Sequence, residues 1–131
     1  MHKFKFASGS FIFIFSFVLL LSACHSLEDK PSVLVFTKTA GYHHSSFTQG
    51  VAAILKLGAE NNFQVDTTSD ATRFQEDSLK KYAAVVFLNT TGELLDNYEQ
   101  ADFERYIQAG GGYVGIHAAT DAEYDWHWYG R

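Results

Sequence analysis

Three short runs of β-branched and aromatic residues constrain the chain most: Ser32 to Thr37, Ala83 to Leu88 and Gly112 to Ile116. Each is too brief for a stable helix, and the first two are continuously apolar rather than alternating. A strand with one wet face alternates; a continuous run marks a strand covered on both faces, as in a parallel sheet between helical layers. The intervening segments supply those layers. Phe47, Val51, Ile54, Leu55 and Gly58 recur at helical spacing and predict a helix to about Asn61, opened by a Ser46–Gln49 capping box. Tyr98, Ala101, Phe103, Tyr106 and Ile107 predict the packed side of a helix over 97–109, which Gly110-Gly111-Gly112 ends. Residues 63–67 read as a weaker strand, and Leu79 to Tyr82 as the close of a short helix. Glu93, Asp96 and the acids of 99–104 read as a solvated face.

Alternating strands and helices with right-handed crossovers give an α/β fold: a three-layer, flavodoxin-like parallel sheet of spatial order 2-1-3-4. The fourth strand would stand as an apolar edge with no helix after it, an aggregation liability. Residues 32–131 are therefore expected to be the N-terminal part of a longer domain, with fused or associated domains conceivable beyond residue 131.

A different material precedes this domain. Six of the twelve phenylalanines lie before Cys24, and all fifteen acidic residues lie after it. Lys3 and Lys5 open a leader whose apolar run, Phe11 to Leu21, is short of the roughly 20 residues a membrane helix needs. It has the length of a secretory h-region. Leu21-Ser22-Ala23-Cys24 then resembles the lipobox of bacterial lipoproteins. That likeness implies a signal peptide over 1–23, acyl chains on Cys24, a tether over 24–31 and a lipid-anchored place in the cell envelope. Two or more chains, at about 0.8 kcal/mol per buried methylene, anchor stably. With one cysteine in the chain, no disulfide framework or cysteine-based zinc site is available. A net charge of −5 without a basic block excludes a nucleic-acid surface, whose affinity comes from neutralising phosphates.

Ligands of open parallel sheets sit beyond the carboxyl ends of the strands. Three loops reach that edge: 38–45, 89–93 and 117–121. Four of the six histidines, His43, His44, His117 and His127, lie in or just after them. Residues that bind or react gather on such loops over a rigid scaffold. His44, His117 and Asp121 are the candidate catalytic group, the imidazoles suited to proton transfer near neutral pH and the carboxylate to orienting one of them. The same three residues are the candidate ligands for a divalent metal such as zinc. Lys38, Tyr42, His43, Asn89, Thr91 and Trp126 are candidate substrate contacts. Gly110 to Gly112 precedes a strand, not a helix, so it is no phosphate cradle and no nucleotide is implied.

Four ordered blocks carry a resemblance to a known family: Val33 to His44, Val85 to Gly92, Gly110 to Ala119, and Tyr124-Asp125-Trp126 through Trp128-Tyr129-Gly130. Together they are similar to the ThuA-like (trehalose-utilisation) family, whose fold is similar to class I glutamine amidotransferases. The resemblance implies a role in sugar catabolism. Two departures stand out: His43 replaces an arginine of the family pattern, removing a fixed charge and its bidentate fork, and His127 replaces a proline. His117 falls where an amidotransferase carries its nucleophilic cysteine, so glutaminase activity is not expected; a fold does not bring its chemistry with it. The reading is a domain that acts on trehalose or a related sugar or keto-sugar. The alternatives are a carbohydrate-binding module without turnover, whose aromatics would stack on sugar rings, and an inactive fragment.

Overall fold

The computed structural model describes residues 30–130. The leader, Cys24 and residues 25–29 of the tether lie outside the described residues. Along the chain run β1 (Ser32–Phe36), α1 (Phe47–Asn61), β2 (Gln64–Thr68), α2 (Glu76–Leu79), β3 (Ala84–Leu88), β4 (Thr91–Gly92), α3 (Asn97–Gln108), β5 (Gly112–Ile116) and β6 (Asp121–Ala122). One parallel sheet has the order β2-β1-β3-β5, the order expected from right-handed crossovers. Val35 sits beside Val86, and Leu88 beside Ile116, so the three apolar runs are in register. Short β4 and β6 form a separate parallel ladder, Thr91 opposite Asp121 and Gly92 opposite Ala122.

Burial of both faces explains the apolar runs of β1 and β3. Over one face lies α1, with Phe47 and Ile54 packed on Val35, Val86 and Leu88. The other face is aromatic. Phe87 meets Phe36 at 5.2 Å, Phe74 and Phe103 at 5.6 Å, Tyr113 at 5.4 Å and Tyr129 at 5.8 Å between ring centroids. A buried phenylalanine contributes about 1.5–3 kcal/mol from area alone, and this cluster, with Leu34, Leu79 and Val85, anchors α2 and α3 to the sheet. β5 is the outermost strand, paired with β3 alone among the described strands, and Tyr113 and Val114 on it are exposed.

Several local expectations are corrected. Leu55 and Tyr98 are exposed, not packed: Leu55 is one step round the helix from buried Ile54, and Tyr98 lies in the first turn of α3. Ser46 makes no side-chain cap for α1, because its hydroxyl accepts Asn89 Nδ2 at 2.9 Å instead. The capping box belongs to α3. Asp96 accepts from the amides of Tyr98 and Glu99 at 2.8 and 2.9 Å, while Glu99 accepts from the Asp96 amide at 2.9 Å. Of the acids read as a solvated face, Glu93 and Asp96 are exposed as expected, while Glu99, Asp102 and Glu104 are half-buried, Glu104 accepting from the Trp126 indole. The short helix before β3, Glu76–Leu79, ends at the start of the 79–82 span expected to close it, and a 3-10 turn at Ala71–Arg73 that Asp70 caps precedes it.

Candidate functional site

The three rim loops meet, and the middle one is their hub. Asn89 leaves β3 at φ 54. Its amide donates to Ile116 O at 3.2 Å and its side chain to Ser46, so one residue touches both flanking loops. Thr91 is 1% exposed. Its carbonyl accepts from Ala40 and Gly41 at 2.8 and 3.1 Å, and its hydroxyl donates to Tyr42 O at 2.9 Å and pairs with Thr39 Oγ1. Lys38 Nζ donates to Leu94 O at 2.6 Å. Lys38, Asn89 and Thr91, expected as polar contacts, thus have their polar groups engaged within the rim and act as struts between loops.

These struts bring the two imidazoles together. His117 follows β5 directly, at φ 55, a left-handed conformation that costs a non-glycine residue roughly 1–3 kcal/mol and persists where the surroundings fix it. The chain there turns sharply from strand into the 3-10 turn His117–Thr120. The ring of His44, from the first loop, meets that of His117 edge-on, centroids 4.6 Å apart. Tyr42 packs edge-on against His44 at 4.8 Å, its ring otherwise exposed. His43 turns the other way, against Phe47 at 4.7 Å. With Lys38, Thr37, Thr39, Thr48 and Ser69 it lines an open cavity of about 690 Å³.

Asp121 does not complete the trio as expected. The β4–β6 ladder sets it opposite Thr91, and the Tyr124 hydroxyl donates to its carboxylate. Among the described residues no three His, Cys, Asp or Glu side chains come together as a metal-binding group. The proposed zinc ligands His44, His117 and Asp121 are therefore not assembled as a set. Trp126 is buried, its indole donating to Glu104 Oε1 at 2.9 Å and its ring stacked on Trp128 and Tyr129. It roofs the aromatic core and shows only a small part of its surface, to the cavity beside His127. His127 is exposed beside a cavity of about 520 Å³ that Tyr113, Thr120, Glu123 and Tyr124 also line.

Sequence reasoning missed Glu123, the one buried acidic residue among those described, at 2% exposure. Its Oε1 accepts from the amides of Leu94 and Leu95 at 2.7 and 2.9 Å, and its Oε2 from Gln100 Nε2 at 2.8 Å. Burial pushes the carboxyl above its ordinary range, against the pull of those three donors. Nothing local marks it: its partners lie on elements more than twenty residues earlier.

A three-layer parallel sheet whose rim loops pair two imidazoles beside a left-handed strand end defines a flavodoxin-like domain with a histidine at the turn after its last large strand. More particularly, the chain belongs to the ThuA family, described as trehalose utilisation, which residues 32–131 match. It is similar to the crystal structure of a ThuA-like protein from Bacteroides uniformis, with 28% identity and a TM-score of 0.66. The likeness covers 82% of this chain and 44% of that one, so the chain spans less than half the length of this relative. No curated protein gives a significant match. Among the described residues no helix is long and apolar enough to cross a membrane.

Proposed function

We propose that the domain acts on a carbohydrate, a disaccharide or keto-sugar, by proton transfer between the His44–His117 pair and the substrate. The single observation that carries this reading is the convergence of the two rings, 4.6 Å apart, from separate loops onto a sharp turn at the carboxyl edge of the sheet. A neutral imidazole takes the proton beside a sugar carbonyl, and a protonated one gives a proton to the carbonyl oxygen. The product is the enediol, and the two rings have exchanged protonation states. Asp121, held by Tyr124, stands one turn further along and does not supply the orienting carboxylate. Glutaminase chemistry has no nucleophile at this turn, where His117 stands.

Oxidised, carbonyl-bearing derivatives of trehalose are the first substrates to assay, given the family, because trehalose itself has no free carbonyl for this step. His117→Ala and His44→Ala should each abolish turnover while the far-ultraviolet circular dichroism spectrum stays that of the folded chain. Unchanged turnover in either would remove the assignment. A binding module without turnover is favoured by the exposed ring of Tyr42 beside His44, on which a sugar can stack. Under that reading Tyr42→Ala loses sugar binding, and His117→Ala keeps it.

The same proposal places the protein in the cell envelope, anchored to a bacterial membrane through lipidated Cys24. Cys24→Ser should release it from the membrane fraction. A variant that stays membrane-bound would refute the anchor.

A further inference from the structure

One peptide group at the rim carries opposite charges at its two ends. The carbonyl of Leu94 accepts from Lys38 Nζ at 2.6 Å, and the amide of Leu95, in the same peptide unit, donates to Glu123 Oε1 at 2.9 Å. The ammonium sits at the oxygen and the carboxylate at the N–H, both favourable to the dipole of about 3.5 D that a peptide unit carries. In a poorly solvated setting such bonds polarise one another. A carboxylate buried without a direct ion pair is costly; here the counter-charge reaches it through a peptide. Among the described residues Lys38 has no closer acidic partner in a salt bridge, as the four bridges present all lie elsewhere.

The placement of this bridge gives it a function. Lys38 belongs to the loop that carries His44, and Glu123 follows β6 on the segment that carries His117. Glu123 is further tied to the hub by its own amide, which donates to Gly92 O at 3.2 Å. The segments that bring the imidazoles together are thus clamped to opposite ends of one peptide that directly follows the middle loop.

We propose that Lys38 and Glu123 are positioning residues for the His44–His117 pair, setting the separation of the rings through the Leu94–Leu95 peptide without touching substrate themselves. This rests on the reading of the imidazole pair as the site. It does not need the domain to be an enzyme.

The test is the cross-ring nuclear Overhauser effect between the His44 and His117 imidazole protons, read on the whole chain with labelled histidine. Wild type should show it. Lys38→Met, at a half-exposed position where the fold tolerates loss of the charge, should weaken it at least twofold, as should Glu123→Ala. Glu123→Gln should restore it: the amide oxygen still accepts from Leu94 and Leu95, and the Gln100 amide can flip to accept from the new NH₂, giving up only its long 3.3 Å bond to Leu95 O. Should Glu123→Ala not fold, Lys38→Met and the Gln variant decide. A full-strength contact in Lys38→Met overturns the clamp, and so does its loss in Glu123→Gln. Absence of the contact in wild type overturns the imidazole pair as well. A wild-type contact without turnover of any sugar refutes only the enzymatic reading and leaves the clamp standing.

Discussion

Replacing Gly111 with alanine should damage the domain far more than the same change one residue earlier. Gly111 lies against the ring of Tyr106: a Cβ there would come 2.5 Å from Cε2 and closer still to Cζ and Cε1. Ordinary carbon contacts are about 3.5–4.0 Å. The ring cannot retreat cheaply. It is 6% exposed, stacked on Phe103 at 5.9 Å, with its hydroxyl donating to Tyr82 O at 3.1 Å. Overpacking costs about 1–3 kcal/mol, and pulling the hydroxyl from a buried carbonyl adds about 1–3 kcal/mol. A loss of about 3–4 kcal/mol is expected, which for a domain near 100 residues lowers Tm by about 12 °C or more. Gly110 is the control. It has φ 99 but nothing within 4 Å of a new Cβ, so alanine there bears only the left-handed penalty of about 1–2 kcal/mol. Thermal unfolding followed by circular dichroism separates the two, and Tyr106→Leu added to Gly111→Ala should restore part of the loss. Equal melting points for the two alanine variants would refute the argument that the ring fills the space beneath the strand.

Asp96→Ala, which removes the α3 cap, should cost about 1 kcal/mol in urea unfolding. His117→Gly should abolish sugar turnover yet leave the chain at least as stable as wild type, because glycine relieves the left-handed backbone at φ 55; a drop in Tm would mean that the ring itself holds the turn. Because burial raises the Glu123 carboxyl, its penalty is absent below the ordinary carboxyl range and grows as pH rises through the folded value. The wild type should therefore lose stability, relative to Glu123→Gln, from mildly acidic towards neutral pH. Parallel profiles of Tm against pH for the two chains would contradict that sign.

Legibility in the sequence followed the range of the interactions. β1 and β3 are written in their own residues, since burial on both faces demands an apolar run. β2 reads weakly because it is an edge strand whose Gln64, Asp66 and Thr67 face water. The sheet order follows from crossover handedness, and the meeting of His44 with His117 from the rule that loops at the carboxyl ends converge. The rest depends on partners far along the chain. The Ser46 hydroxyl is diverted from capping by Asn89, 43 residues away, and Asp121 is drawn from the imidazoles by a two-residue ladder too short to carry a pattern. Glu123 looks like one more surface acid until the amides 28 and 29 residues before it are folded over its carboxylate.

β5 has a further consequence. Its outward side offers main-chain donors and acceptors in a row, flanked by Val114 at 45% and Tyr113 at 42% exposure. Such a border is a template on which any extended peptide can dock, another molecule of this protein included. Among the described residues the sheet thus finishes on a side that can still be lengthened by one more strand, and whatever lies alongside it inherits the register that Gly112 to Ile116 set.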